Sequence, residues 1–269
     1  MKIWQIIRKH LKVYKVFFWN CLQAQLEYRV NFLFAMLTEL GWVGSHLLYL
    51  LVLYQSDFLV NGLPKESLFL FVGSYLITTG IYMSLFFTNF SNFPDYMKTG
   101  QLDLFITKPV SLQFISTLRY VDFGYPLADF VVGVVLIVIG WWKAEISFHV
   151  ITVLGFLFFS VLGGIWVYCI QIFPALLSFW TIKAEGAYAI SYAVYDMNKM
   201  PRAVYGNGIQ RIGTFLFPLF PMANYATLFV LEKLETTELV WGVVGPFLFL
   251  GITRLLWQLS MKKYTSATG

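Results

Sequence analysis

Five long apolar blocks, at about residues 30–54, 68–92, 112–141, 150–180 and 239–260, restrict this 269-residue chain more than any other feature. A helix needs roughly 20 mostly apolar residues to cross the hydrocarbon core of a bilayer, and each block reaches that length. Apolar residues fill 58% of the positions and charged residues only 12%. The mean hydropathy of +0.68 is outside the range of a soluble globular domain. The chain is therefore expected to be an all-α integral membrane protein. A sixth block, near 183–200, mixes apolar residues with Glu185, Tyr188, Ser191, Tyr192, Tyr195 and Asp196, so one side of it must face protein or water.

The placement of charge sets the orientation. The formal balance is +5, which in a soluble protein would suggest nucleic acid, but the cations sit at the ends of apolar blocks. Lys2, Arg8, Lys9, Lys12 and Lys15 crowd the N-terminus, and Lys262 and Lys263 follow the last block. Both termini are thus expected in the cytoplasm. That requires an even number of spans and favours counting the sixth block. No signal peptide is expected, because basic residues interrupt the first 15 positions. Cys21 and Cys169 are too few for a disulfide framework or a Cys-rich metal site and read as packing residues.

Residues 1–22 read as an amphipathic helix lying along the cytoplasmic interface. Ile3, Ile7, Leu11, Tyr14, Phe18 and Cys21 recur at helical spacing, opposite Arg8, Lys12 and Lys15. Anionic lipid is its expected partner. The loop after the first span is external, with Asn61-Gly62 and Pro64 as turn residues. Phe93-Pro94-Asp95 marks the cytoplasmic end of the second span, and a polar stretch, Met97 to Val110, separates it from the third. The third span is expected to contain Arg119, Asp122 and Asp129, with Trp141 and Trp142 at the outer interface. Lys183 and Glu185 form a short cytoplasmic turn after the fourth. Between 201 and 238, Pro201, Gly206, Gly208, Gly213, Pro218 and Pro221 divide short apolar pieces, a pattern that fits two short helices dipping into the outer leaflet. Glu232, Lys233, Glu235 and Glu238 return the chain to water. With no internal repeat and no linker, residues 1–269 read as one domain.

Motifs of chemistry are missing. There is no Walker loop, and the cluster Gly206-Asn207-Gly208 lacks the third glycine of a dinucleotide fingerprint. His10, His46 and His149 are scattered, with no H-E-x-x-H pair for zinc, and no G-x-S-x-G elbow occurs. Glu39, His46, Arg119, Asp122 and Asp129 are expensive inside a span and should be paired or face water. Asp129, deepest in its span, and Glu39 are candidates for a translocation path; pairing of Asp129 with Arg119 or Arg29 would satisfy the same cost.

Several of these features, taken in order, resemble the permease subunits of type-2 ABC exporters, in particular small bacterial permeases that consist of a bare membrane domain. They are the basic amphipathic N-terminus, six spans with both ends inside, and the loop G-x-L-D-x-x-x-x-K-P-V (Gly100, Leu102, Asp103, Lys108, Pro109, Val110). The P-x-x-x-Y pair Pro201 and Tyr205, Pro218 with Pro221, and the terminal stretch Trp257 with Lys262 to Ala267 complete the series. The resemblance implies a six-helix permease that pairs with itself or a sister permease in the bacterial inner membrane. Separate ABC ATPase subunits would dock on it and carry the ATP and Mg, with no cofactor on this chain. It also implies that 93–110, with Asp95, Lys98, Gly100, Asp103, Lys108 and Pro109, is a cytoplasmic coupling loop, and that 201–238, with Pro201, Tyr205, Pro218 and Pro221, gates the outer exit. An amphipathic or lipid-like substrate is the expected cargo. A membrane enzyme acting on lipids and an ion-coupled secondary carrier are the competing readings, and the lack of an inverted repeat counts against the latter.

Overall fold

A computed structural model describes residues 2–56, 62–181 and 185–264; Asn61, Lys183 and Thr265 to Ala267, and the side chains of Lys2 and Ile3, lie outside the described residues. The chain opens with α1 (Lys2–Glu27) and α2 (Arg29–Gln55), followed by α3 (Ser67–Lys98), α4 (Gln101–Ile106), α5 (Leu112–Leu118) and α6 (Gly124–Lys143). Then come α7 (Val150–Leu177), α8 (Glu185–Tyr195), α9 (Asn207–Arg211), α10 (Asn224–Val230) and α11 (Thr236–Met261). Among the described residues all regular structure is helical. Five helices, α2, α3, α6, α7 and α11, are long and apolar enough to cross a membrane. The sixth block yields the 11-residue α8, about 16 Å long at the helical rise of 1.5 Å per residue, extended by a 3₁₀ turn over Asp196–Lys199.

The core forms around α3, whose Leu68, Leu70, Phe71, Val72, Tyr75 and Leu76 are all buried. It lies directly against α6: a Cβ on Gly73 would stand 2.9 Å from the Gly133 carbonyl oxygen, and one on Gly133 3.1 Å from that of Gly73. Two backbones approach this closely only where both residues lack side chains. By contrast, α2 and α11 leave most of their apolar side chains uncovered by the rest of the chain, as lipid-facing helices do.

Three boundaries differ from the sequence reading. First, α3 does not stop at Phe93-Pro94 but continues to Lys98, because Pro94 falls in the first turn of the helical piece Phe93–Lys98, where its missing N–H breaks no bond. Second, α1 reaches Glu27 rather than residue 22. Third, the block 112–141 is broken: α5 ends at Leu118 and α6 begins at Gly124, so Arg119 and Asp122 lie in a non-helical link rather than in a span. Trp141 and Trp142 also part company, since Trp142 is exposed while Trp141 is buried against Phe148 and Phe156.

The link 119–123 is where the fold meets its strictest demand, since each free backbone group inside a membrane protein needs a partner. Side chains of α1 and α3 supply them. Asn89 Nδ2 donates to the Tyr120 carbonyl at 2.8 Å, and its Oδ1 accepts the Tyr120 N–H at 2.9 Å. Gln25 performs the same double role on the Val121 carbonyl (2.8 Å) and the Phe123 N–H (2.9 Å). Cys21 Sγ touches the Arg119 carbonyl at 3.6 Å and the Val121 N–H at 3.5 Å, so it is more than a packing residue. The Asp122 N–H reaches the Ser84 carbonyl at 2.9 Å, and Ser84 Oγ returns a bond to the Asp122 carbonyl at 2.9 Å. Ser84 lies in a π turn of α3, Met83–Phe87, a distortion that displaces carbonyls from the regular ladder.

Asn89 is fully buried, so Asn89→Ala should leave the Tyr120 N–H and carbonyl without partners and cost about 2–6 kcal/mol at roughly 1–3 kcal/mol per orphaned group. Thermal unfolding in detergent should show a clear drop for Asn89→Ala and almost none for Gln23→Ala, whose side chain is exposed.

Candidate functional site

At one end of the bundle the chain makes a helical elbow from Phe93 to Val110. The tail of α3 ends at Lys98, Gly100 takes a left-handed conformation (φ 70°), and α4 then turns back toward α5. Glycine suits that reversal because a side chain is strained at positive φ. The inner face of the elbow is anchored by aromatic contacts. Phe93 packs edge-on to Trp257 of α11 (5.5 Å) and against Phe179 (5.3 Å), Tyr96 meets Phe105 (5.2 Å), and Leu102 is fully buried.

Asp103 accepts a hydrogen bond from the Tyr264 hydroxyl at 3.0 Å. Burial, then that bond and the Asp103 charge, lift the Tyr264 phenol to about 12, so it stays an O–H donor across physiological pH. The outer face holds the remaining residues singled out from sequence. Asp95 and Lys98 form an exposed pair at 3.9 Å, where ion pairs add little stability, and Lys108 and Pro109 are exposed. Between them Leu104 and Ile106 are 63% and 51% exposed. Sequence reasoning passed over these two apolar side chains; their helical spacing from the buried Leu102 and Phe105 was the available signal.

Within the spans, the carboxyl groups of Glu39 of α2 and Asp129 of α6 are neighbours, close enough to interact electrostatically. The alternative pairing of Asp129 with Arg119 or Arg29 is not found among the described residues. Arg119 lies instead over the rings of Phe105 (5.1 Å) and Tyr120 (5.5 Å), because the break before Gly124 takes it out of the span. Asp129 is completely buried, and no N–H or O–H from another described residue reaches either of its oxygens. Tyr192 of α8 lies within electrostatic range of both carboxyl groups. Two carboxyls together without a cation form an arrangement that spans tolerate beside water or a polar ligand. Among the described residues no three His, Cys, Asp or Glu side chains gather as a metal site would require.

At the opposite end, the break after α8 is stitched by polar side chains. Tyr75 donates to Asp196 at 2.9 Å, and Lys199 bridges the same carboxylate at 2.5 Å. The Asn224 side chain accepts the Arg202 N–H at 2.8 Å and donates to Asn198 at 3.3 Å. Arg202 then makes a two-point ion pair with Glu238 in the first turn of α11, its Nη2 at 2.7 Å from Oε2. Glu238 is therefore buried rather than returned to water, since the guanidinium compensates its charge where solvent is excluded. Pro201, Pro218 and Pro221 are buried. The Tyr205 hydroxyl donates to the Met197 carbonyl at 2.9 Å, and its ring packs on Phe220 at 5.4 Å. The structure thus joins Tyr205 to the Phe220-Pro221 turn. Two short helical pieces, α9 with its π turn to Leu216 and α10, occupy this region.

A family model described as ABC-2 family transporter protein matches residues 40–268. The chain belongs to that family. It is a multi-pass membrane permease of an ABC transporter, and membership implies ABC ATPase subunits as partners. No curated protein and no solved structure matches the chain.

Because the Arg202–Glu238 pair is shielded, with side chains only 13% and 11% exposed, Arg202→Ala should destabilise the permease by about 3–5 kcal/mol, the usual cost of stranding one member of a buried pair. Differential scanning fluorimetry should show recovery when Glu238→Gln is added to Arg202→Ala.

Proposed function

We propose that this permease is the membrane path of an ATP-driven exporter, with both termini and the elbow 93–110 on the cytoplasmic side of the bacterial inner membrane. The observation that carries the coupling role is the two-faced elbow. Leu104 and Ile106 project outward beside Asp95, Lys98 and Lys108, while Phe93, Tyr96, Leu102 and Phe105 lock the inner face into the bundle. An exposed apolar pair rimmed by charge is the anatomy of a protein contact. Force applied there would travel through α3, which is continuous from Lys98 to Ser67, and through the link 119–123 into α6.

The cargo crosses beside the Glu39–Asp129 pair and Tyr192. Opening at the far side would require movement of the assembly from Asp196 to Glu238, including Pro201, Tyr205, Pro218 and Pro221. A second permease, identical or sister, completes the path, covering apolar faces of helices that one chain leaves open. An amphipathic or lipid-like cargo fits these carboxyl and tyrosine side chains set among apolar helices. ATP and Mg belong to the ATPase subunits in this scheme.

In proteoliposomes holding the permease with its ATPase, Leu104→Asp or Asp103→Ala with Lys108→Ala should lower ATP turnover by about tenfold, equivalent to roughly 1.4 kcal/mol of lost contact. The permease alone should hydrolyse no ATP. Undiminished turnover in these variants would overturn the coupling assignment.

A further inference from the structure

A crevice of about 910 Å³ opens between α1, the start of α2, the elbow and the link 119–123. Three cations line it, Lys9 from α1, Lys108 from the elbow and Arg119 from the link. None has a carboxylate within ion-pair distance among the described residues. Asp122 is the sole acidic residue on its wall, and one of its oxygens already accepts the Gly124 N–H at 2.9 Å. The crevice therefore carries a net positive charge along the face that α1 turns toward the elbow and the link, where His10, next to Lys9, accepts the Ser111 N–H at 3.3 Å and Cys21 meets Arg119.

From there the lining turns apolar along the first span, through Phe32, Phe34 and Ala35 as far as Thr38. Ten residues of helix, from Tyr28 to Thr38, rise about 15 Å at 1.5 Å per residue, close to half of the roughly 30 Å hydrocarbon core. A cationic mouth with an apolar slot one leaflet deep matches one occupant, a phospholipid with an anionic headgroup and its acyl chains. A soluble phosphate or nucleotide would leave the slot empty.

The geometry points to a binding site for one anionic phospholipid of the leaflet that faces the elbow, headgroup on Lys9, Lys108 and Arg119, chains along α2. The site joins α1 to the elbow through the lipid itself, whereas the Cys21 and Gln25 bonds join α1 to the link. Its placement in the inner leaflet rests on the cytoplasmic orientation proposed above, but binding can be measured without the ATPase, so the two readings fail separately.

The full-length chain in nonionic detergent can be titrated with phosphatidylglycerol and with phosphatidylethanolamine of the same acyl chains, and bound lipid counted by native mass spectrometry. The expected result is one phosphatidylglycerol held at least tenfold more tightly than phosphatidylethanolamine. Lys9→Gln with Arg119→Gln should abolish that preference, and Lys262→Gln with Lys263→Gln should retain it. Equal binding of the two lipids by the unaltered chain, or an undiminished preference in the Lys9 and Arg119 variant, would overturn the assignment. So would complete displacement of the lipid by glycerol 3-phosphate, which lacks acyl chains. The unaltered chain provides a readout independent of any variant: its thermal midpoint should rise with phosphatidylglycerol and not with phosphatidylethanolamine, and no rise would count against the site.

Discussion

Helical continuity is cheap inside a bilayer and every interruption of it must be supplied with hydrogen-bond partners, and this one constraint organises the molecule. The chain breaks helix at the link 119–123, at the elbow turn and after α8. At the link, Asn89, Ser84, Gln25 and Cys21 satisfy the backbone between them. After α8, Asn198 donates to the Tyr195 carbonyl and Asn224 accepts the Arg202 N–H, while Tyr75 and Lys199 hold the Asp196 side chain. The side chains that satisfy these breaks define which elements are bonded to one another. Thus α1 is bonded to the link rather than merely resting on a surface, and α10 is tied to α11 through Arg202 and Glu238.

The consequence for function is mechanical. Between the elbow and the opposite end runs α3, flanked by α6 at glycine contact distance and bonded to the link by Ser84 and Asn89. A displacement at Leu104 or Ile106 has a stiff route across the structure, because close-packed helices transmit movement instead of absorbing it. The Glu39–Asp129 pair lies along that route on α2 and α6. Any rotation of α6 against α2 would separate or join the two carboxyls.

Much of this was legible in the sequence because hydropathy and length report on spans directly. The five long helices follow the five apolar blocks, and the turn at Gly100 is signalled by glycine in a polar stretch. What composition could not reveal was side-chain satisfaction at a distance. Asn89 reads as an unremarkable polar residue near a helix end, yet it holds the backbone of Tyr120. Pro94 reads as a terminator, yet its place in a helical first turn lets α3 continue. Glu238 reads as a solvent charge among Glu232, Lys233 and Glu235, and only the fold brings Arg202 to it. Asp129 reads as a costly charge deep in a span, and its neighbour is another carboxyl on α2, a pairing that no local pattern encodes.

The central claim is that the outward face of the elbow is where the ATPase is received. A photo-reactive residue placed at Leu104 in the full-length chain, co-expressed with its ABC ATPase in intact cells, tests this directly when set against the same residue at Phe217, which is equally exposed near the opposite end. The account requires an adduct from position 104 whose peptides come from the Walker-bearing subunit, and none from position 217. An ATPase adduct from position 217 with nothing from position 104 would contradict it.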